Sequence, residues 1–354
     1  MQLKFDYIIV GQGLAGSCLA LELLKRDKKI LVFDEPAKNR SSIIAAGLFN
    51  PVTGRKMTKT WLADKLFPQL IRFYTEAEKL LQTRCLYESS VYRPFYTAEE
   101  QNEWMANSAN EAYKSIIQEV HVKSTFGNDV HDAFGGLLLK QSGYLDTKIF
   151  LAAVRALLIA NGAYREAHVE LQAANINDKE IILADGTSAA AIIFANGLGS
   201  MQTDFFSWLP FKALKGETLS LKVEKMPEII YNRGVYLVPE PGQMSLKAGA
   251  TYDPRNLAAG ITEAGRAELE ESINKLIKFR YKIVDHDWGI RPSTADRKPI
   301  LGKHPAFENV LIFNGLGTKG VSLAPFFAEK MAKFLSGSDQ LYKEVNIERY
   351  YSLY

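Results

Sequence analysis

The N-terminal stretch from Phe5 to Asp34 constrains the fold of this chain more than any other part of the sequence. An apolar run ends in three glycines with the spacing G-x-G-x-x-G, namely Gly11, Gly13 and Gly16, and a helical pattern and a second apolar run follow. In such a unit the first glycine allows a tight turn, the second lets the backbone approach a pyrophosphate, and the third lets the helix pack closely on the strand. The stretch therefore predicts a β-turn-α-β unit that binds a dinucleotide.

The helix start and the acid at the end of the second run sharpen this prediction. Free N–H groups at the helix start, around Leu14 and Ala15, and the positive end of the helix dipole would hold phosphates. Asp34 follows Gly11 by 23 residues, where a carboxylate would accept hydrogen bonds from a ribose 2'-hydroxyl and disfavour a cofactor with a 2'-phosphate. The alternative is a glycine-rich turn in an unrelated α/β protein, but two strands, a helix and an acid together favour the nucleotide site.

Composition and charge exclude several classes of protein. With 47% hydrophobic and 23% charged residues, the 354-residue chain matches an ordinary enzyme of two domains, or of one domain with a large insertion. The net charge of +3 is too small to indicate nucleic acid or a membrane surface. Asp6, Glu22 and the glycines interrupt the first apolar run, so it predicts neither a signal peptide nor a membrane span. The only cysteines, Cys18 and Cys85, suit a reducing, cytoplasmic setting.

Small residues elsewhere predict further places where backbone faces a ligand. They are Ser41, Ser42, Ala46 and Gly47 after the first unit, and Asn196 and Gly197 at the end of a later strand. Between them, Arg55, Lys56 and Lys59 would either meet an acidic group or form a solvated loop, and the sequence leaves both open. Residues 98–120 read as helical, and residues 288–302 read as a loop because Gly289 and Pro292 bracket Arg291.

A second G-x-G-x-x-G spacing occurs near the C-terminus, at Gly315, Gly317 and Gly320. Taken alone it predicts an NAD(P)H domain, which would make the protein a flavin-dependent reductase. The chain ends without the second strand and acid that such a domain needs. We therefore expect this turn, which also contains Leu316, Thr318 and Lys319, to bring N–H groups and a helix N-terminus against the same cofactor as the first turn.

Further motifs recur along nearly the whole chain. They are Gly143-Tyr144-Leu145-Asp146, Gly249-Ala250-Thr251, Gly289-Ile290-Arg291-Pro292 with Asp296, and Pro299-Ile300-Leu301-Gly302. With the two glycine turns, these motifs resemble the FAD-dependent D-amino acid oxidase superfamily, in its glycine oxidase, sarcosine oxidase and D-amino acid dehydrogenase branch. The first glycine motif is common to many nucleotide enzymes, whereas the run from Gly289 to Gly302 is much more specific.

The resemblance implies an α/β fold in which a Rossmann-like FAD-binding domain of the glutathione reductase type is interleaved with an antiparallel α+β substrate domain. The FAD-binding domain would comprise residues 1–75, 143–205 and 287–354, and the substrate domain residues 76–142 and 206–286. The cofactor-binding residues would be those of both glycine turns, Asp34, the small residues named above and Val169. Some members of this superfamily attach FAD through a cysteine near the final turn. Because no cysteine follows Cys85 in this chain, FAD would be bound non-covalently. No metal site is predicted.

The resemblance also implies roles for four side chains near the flavin. Arg291 would hold the substrate carboxylate, since a guanidinium grips a carboxylate in a bidentate manner; the alternative is that it structures its own loop through Asp296. Lys319 corresponds to the position that contacts the carboxylate in the sarcosine oxidase branch. Tyr236 and Tyr252 would lie on strands that shape the pocket, or would be ordinary sheet packing.

The implied reaction is hydride transfer from a C–H bond next to an amine to flavin N5, giving an imine that water hydrolyses. Small amino acids or secondary amines would be substrates, and O2 or a quinone or carrier would accept the electrons. One alternative is an FAD-dependent tRNA wobble-uridine enzyme that removes a carboxymethyl group from an aminomethyl uridine. The weak positive charge makes nucleic acid less favoured without excluding it. A non-catalytic flavoprotein is the second alternative.

Overall fold

The computed structural model describes residues 4–36, 40–54, 57–177 and 179–354. The helices are α1 (Leu14–Leu24), α2 (Ser41–Ile44), α3 (Ala63–Leu81), α4 (Ala98–Ser108), α5 (Glu111–Lys114), α6 (Thr147–Ala160), α7 (Glu263–Leu276) and α8 (Gly320–Leu335), with 3-10 helices at Gly197–Gln202 and Ile347–Leu353.

The strands are numbered in chain order in the same way. They are β1 (Lys4–Val10), β2 (Ile30–Asp34), β3 (Leu48–Phe49), β4 (Val52–Thr53), β5 (Thr58–Lys59), β6 (Leu86–Glu88), β7 (Val91–Pro94), β8 (Ile117–His121), β9 (Gly136–Leu139), β10 (Gly143–Leu145), β11 (Tyr164–Glu166), β12 (Asn175–Ile176), β13 (Ile181–Ile182), β14 (Ser188–Phe194), β15 (Phe211–Val223), β16 (Ile230–Arg233), β17 (Val235–Pro239), β18 (Ser245–Gly249), β19 (Tyr281–Thr294), β20 (Ile300–Lys303) and β21 (Val310–Asn314).

The first large sheet carries the predicted dinucleotide unit. Its parallel strands lie in the order β11-β2-β1-β14-β21, and β13, β12 and β20 extend it in antiparallel fashion. All five residues of β2 are buried, as expected for a parallel strand covered on both faces. Helices α1 and α8 pack against each other beside this sheet, and Ile9, Leu19 and Phe327 belong to the same core cluster. The carboxyl ends of the parallel strands therefore meet at one edge.

The second large sheet has the order β19-β15-β18-β17-β16-β7-β9-β8, and only the β16–β7 pair is parallel. Helix α7 packs against β15, β17 and β18. Small sheets formed by β3-β10-β6 and β4-β5 complete the architecture. The first large sheet draws its strands from residues 4–34, 164–194 and 300–314, and the second from 91–139 and 211–294. Strand β19 crosses the boundary expected at residue 287, and the domain limits stay a prediction.

The expectation of a loop over residues 288–302 is wrong for its first half. Arg291 lies on β19, which pairs with β15 from Tyr281 to Thr294. Pro292 is tolerated there, opposite Ala213, because β19 is an edge strand and one of its sides needs no ladder hydrogen bonds. Glycine and proline break regular structure locally, but pairing with a distant strand overrides them here.

The expectation of one helix over residues 98–120 is wrong in its second half. Helix α4 ends at Ser108, the short α5 follows, and Ile117–His121 form a strand paired with β9. The side chain of Asn110 accepts a hydrogen bond from Ala112 N and so starts a new turn. Among the described residues, no helix is both long and apolar enough to cross a membrane.

Candidate active site

One large cavity, of about 1020 Å3, lies where the carboxyl ends of β1, β2 and β14 approach β15, β17 and β19. This volume is at the upper end of the range for small-molecule pockets, as a dinucleotide requires. The residues predicted for the site that line it are Gly11, Gly13, Leu14, Ala15, Asp34, Ser41, Ser42, Ala46, Gly47, Val169, Asn196, Gly197, Tyr236, Tyr252, Arg291, Leu316, Gly317, Thr318, Lys319 and Gly320. The fold thus brings them together, while their individual roles stay predictions.

Gly16 and Gly315 do not line this cavity, and packing explains both. A Cβ at Gly16 would lie 1.9 Å from the Gly11 carbonyl oxygen, so the glycine lets α1 pack on the turn. Gly11, which does line the cavity, is also restricted to glycine: its φ is +101°, and a Cβ at this residue would lie 2.6 Å from Asn196 Cα. Gly315 has a φ of +76° and faces Thr294. By contrast, a Cβ at Gly13 would meet only Ser42 Oγ within 4 Å, at 3.2 Å.

Asp34 ends β2 beside the first turn and is held by several donors. Its Oδ1 accepts a hydrogen bond from Gln12 N at 2.8 Å, and the Arg40 guanidinium approaches both carboxylate oxygens at 2.8–2.9 Å. Arg155 adds a longer contact at 3.4 Å. Arg40 lines the cavity, and sequence reasoning missed it because its position beside Asp34 depends on the tertiary fold. A basic residue directly before Ser41 and Ser42 was the available signal.

Two helix N-termini open into the cavity without a side-chain cap. Neither Gly13 before α1 nor Lys319 before α8 makes a side-chain capping hydrogen bond. At α1 the Leu14 N–H donates to Ser42 Oγ at 3.3 Å, and the remaining backbone donors of the first turns can hold an acceptor-rich ligand. Asn50, only 6% exposed, also lines the cavity. Its Oδ1 accepts from Val52 N at 3.0 Å, but its Nδ2 finds no partner among the described residues. Sequence reasoning did not single out Asn50; these orphaned donors fit a phosphate- and carbonyl-bearing cofactor.

Arg291 is a largely buried cation on the cavity wall. It forms none of the ion pairs found among the described residues, and its Nη1 donates to the Thr251 carbonyl at 3.4 Å. Asp296 instead pairs with Arg349 at 3.1 Å, so the alternative that Arg291 structures its loop through Asp296 is wrong. Burial lowers the pKa of the guanidinium, and the nearby Tyr236 and Tyr252 oppose that shift. Such a cation is set to receive an anion from a ligand.

Lys319 is a second cation in the cavity wall without a carboxylate partner in the described structure. Its Nζ donates to Thr60 Oγ1 at 3.3 Å. Burial, and secondarily repulsion by Arg297, lowers the pKa of its ammonium group. Arg291 and Lys319 are thus two cations of the cavity wall without a carboxylate partner in the described structure, and each favours an anionic ligand.

The two predicted tyrosines differ in their environment. Tyr236 lies on β17, and burial raises the pKa of its hydroxyl, an effect that Arg291 reduces. Tyr252 was expected on a strand, but it follows β18 and is 59% exposed. Both nevertheless face the cavity near Arg291.

The remaining sequence predictions lie outside the cavity wall. Arg55 and Lys56 fall outside the described residues, and Lys59 pairs with Asp64 at 2.8 Å rather than facing the cavity. Cys18 and Cys85 are free, buried thiols that do not line the cavity. Burial raises the pKa of Cys85 to about 12 and that of Cys18 further, so both stay protonated and unreactive.

Known proteins with similar sequences match nearly the whole of this chain. The chain is 25% identical over 350 residues to the bifunctional protein ThiO/ThiG of Synechocystis sp., covering 93% of this chain and 51% of that protein. It is 23% identical over 392 residues to the glycine oxidase of Bacillus licheniformis, covering 96% and 95%. It is 22% identical over 395 residues to the tRNA 5-methylaminomethyl-2-thiouridine biosynthesis bifunctional protein MnmC of Legionella pneumophila, covering 96% and 54%. The chain thus spans about half the length of the two bifunctional relatives.

Solved structures agree with the predicted fold. The crystal structure of iminodiacetate oxidase from Chelativorans sp. BNC1 matches with a TM-score of 0.79 and 19% identity over 98% of both chains. The family model described as FAD dependent oxidoreductase (DAO) matches residues 6–334. The predicted fold class, superfamily and FAD cofactor are therefore confirmed. This chain belongs to the FAD-dependent oxidoreductase (DAO) family and is an FAD-dependent oxidoreductase.

Proposed function

We propose that this protein oxidises the C–N bond of a small amino acid or secondary amine that carries a carboxylate. The observation that supports this most strongly is Arg291, a largely buried guanidinium on the cavity wall without an acidic partner in the described structure. A buried cation is costly unless an anion compensates it, and a planar guanidinium favours a carboxylate. The relatives named glycine oxidase and iminodiacetate oxidase act, by those names, on compounds of this kind.

The chain's own side chains would bind and orient the substrate. Arg291 would hold the carboxylate, Lys319 would add a second positive charge, and the partly buried ring of Tyr236 would limit the access of water. FAD, when bound through the first turn, Asp34 and the two helix N-termini, supplies the hydride acceptor. Such a reaction depends chiefly on positioning, so it needs no separate acid-base pair.

Several finer features belong to the same proposal. FAD would be bound non-covalently, in keeping with the buried positions of Cys18 and Cys85 outside the cavity. These free thiols also favour a cytoplasmic setting. O2 or a quinone or carrier would accept the electrons.

A second candidate function is tRNA wobble-uridine modification, which the similarity to MnmC favours. In that case the aminomethyl uridine would enter the same cavity, and its carboxymethyl group would meet Arg291. Lys59, which the sequence groups with Arg55 and Lys56 as a basic stretch, pairs with Asp64 and does not line the cavity, which weakens this candidate. Flavin reduction by tRNA but not by free amino acids would favour it over the first proposal.

Replacing Arg291 tests the proposed carboxylate site. Arg291→Leu should retain FAD but weaken binding of benzoate or glycolate by about 1.5–3 kcal/mol, the contribution of a hydrogen bond to a charged group. Binding would be followed by the change in flavin absorbance. Arg280→Leu is a matched control, because Arg280 is exposed and does not line the cavity. Equal affinities in wild type and Arg291→Leu would remove Arg291 from the site.

A further inference from the structure

Gly216 occupies the cavity face of β15, directly beneath Arg291. Its neighbours Lys215 and Glu217 are buried and form an ion pair of 2.8 Å, and the Glu217 carboxylate also accepts from the backbone N–H and hydroxyl of Thr262. Because side chains alternate across a strand, this pair lies on the opposite face from residue 216. Gly216 itself lines the cavity.

The space above Gly216 is filled by the Arg291 guanidinium. A Cβ placed at residue 216 would lie 2.1 Å from Nη2, 2.4 Å from Cζ and 2.5 Å from Nη1 of Arg291. These are its three nearest heavy atoms. The φ of Gly216 lies outside the left-handed region, so the backbone itself would accept alanine. The absence of a side chain at residue 216 therefore leaves the space that the Arg291 guanidinium occupies.

The strand beneath Arg291 is fixed by its neighbours. Glu217 N donates to Thr251 Oγ1 at 2.9 Å, and Thr251 N donates to the Glu217 carbonyl at 3.2 Å. The carbonyl of Thr251 in turn accepts from Arg291 Nη1. Since β15 is anchored in this way, a side chain at residue 216 would displace the guanidinium rather than the strand.

We propose that Gly216 is a positioning residue for Arg291 and sets the depth of the carboxylate subsite. The inference rests on the proposed function, in which Arg291 binds the substrate carboxylate. A side chain at residue 216 would push the guanidinium away from the β15 strand and into the cavity. The carboxylate would then lose its aligned donors, and the space for the rest of the substrate would shrink.

A double-mutant cycle of Gly216→Ala with Arg291→Leu tests this inference in the FAD-loaded protein. Gly216→Ala should retain stoichiometric FAD but weaken glycolate and benzoate binding by on the order of tenfold, comparable to the loss of a charged hydrogen bond. In the Arg291→Leu background the same substitution should change affinity by less than about twofold, since the obstructed group is gone. For any amine that reduces the flavin, KM should rise more than kcat falls.

The outcomes separate this inference from the proposed function. Wild-type affinity in Gly216→Ala, together with a clear loss in Arg291→Leu, would overturn the inference alone. An equal loss from Gly216→Ala in both backgrounds would also overturn it, because the effect would not pass through Arg291. Unchanged affinity in Arg291→Leu would overturn the proposed carboxylate site as well. If Gly216→Ala alone does not fold, the double variant with Arg291→Leu should fold, because the guanidinium that the Cβ would meet is gone; a double variant that also fails to fold would overturn the inference.

Discussion

The two glycine-rich turns of this chain differ most at their third glycine. At Gly16 a Cβ would lie 1.9 Å from a backbone oxygen of its own turn, whereas at Gly320 the nearest atom would be Leu14 Cδ1 at 3.0 Å. The first contact involves backbone that cannot give way, and the second involves the end of a flexible side chain. The same spacing thus marks an obligatory close approach in one turn and a tolerant contact between two helices in the other.

The turns also differ in the elements that come after them. The first is succeeded by α1 and then β2, whose Asp34 accepts a hydrogen bond from Gln12 N within the turn. After the second turn and α8, the described chain contains no further strand and ends in the 3-10 helix Ile347–Leu353. G-x-G-x-x-G spacing therefore indicates a strand-turn-helix junction, and the prediction of a ribose site needs in addition a second strand that ends in an acid.

The largest effect is expected for Gly16→Ala. Its Cβ would overlap the Gly11 carbonyl oxygen, so the cost should reach or exceed the upper end of the roughly 1–3 kcal/mol typical of overpacked sites. We expect loss of bound FAD and a lower midpoint of thermal unfolding. Absorbance spectra of the purified protein and a thermal melt would measure both. A yellow, stoichiometric variant with the wild-type midpoint would contradict the close approach at this turn.

Asp34→Ala should have the next largest effect. It leaves Gln12 N and the Arg40 guanidinium without their acceptor, at a cost of about 1–3 kcal/mol for an unsatisfied buried donor. FAD affinity and unfolding free energy should both fall, which equilibrium dialysis and denaturant titration can measure. Asp185→Ala is a control, because Asp185 is an exposed carboxylate that pairs with Arg165 outside the cavity. Equal losses in the two variants would argue against a special role for Asp34.

Lys319, in the second turn, should give carboxylate binding an alkaline limit. Burial and Arg297 lower the pKa of its ammonium group, so it loses its proton at a pH below the ordinary lysine value of about 10.4. Below that lowered pKa the cation attracts a carboxylate; as the pH rises through it, affinity should fall. Glycolate titrations from neutral to alkaline pH would measure this fall in affinity. The Lys319→Met variant should not show the fall. If the affinity of that variant still falls at alkaline pH, another group is responsible.

The smallest effect is expected for Gly320→Ala, the counterpart of Gly16→Ala. Leu14 Cδ1 can move a few tenths of an ångström, and the preference for alanine over glycine, about 1 kcal/mol in a helix interior, is smaller at Gly320, the first residue of α8. The unfolding free energy should therefore change by no more than about 1 kcal/mol, with FAD retained. A loss of FAD as complete as that of Gly16→Ala would show that both turns need the same close approach.

The sequence predicted local units better than long-range contacts. The first β-turn-α-β unit and α8 were predictable because their apolar periods and glycines lie within short windows. The part of β19 beyond residue 288 was missed because its pairing with β15 is non-local. Tyr252 was expected on a strand, but that strand, β18, ends at Gly249.

The candidate site shows the same limit. Lining positions in the two glycine turns could be predicted from their motifs, and Arg291 from the family resemblance. Asn50 and Gly216 could not, because the importance of Asn50 depends on a missing hydrogen-bond partner and that of Gly216 on a neighbour in space. Arg40 has only the weak signal of its place before Ser41 and Ser42, since its pairing with Asp34 depends on the fold. Such contacts become visible only once the chain is folded.

If this protein oxidises small amines that bear a carboxylate, such an amine should reduce the bound flavin in the absence of oxygen. The FAD-loaded protein would be mixed without oxygen with a panel of small amino acids and N-substituted glycines, and in parallel with tRNA, NADH and NADPH. We predict that at least one carboxylate-bearing amine bleaches the flavin absorbance, and that the nicotinamide nucleotides do not. Bleaching by tRNA alone, by NADH or NADPH alone, or by none of these compounds would contradict the account.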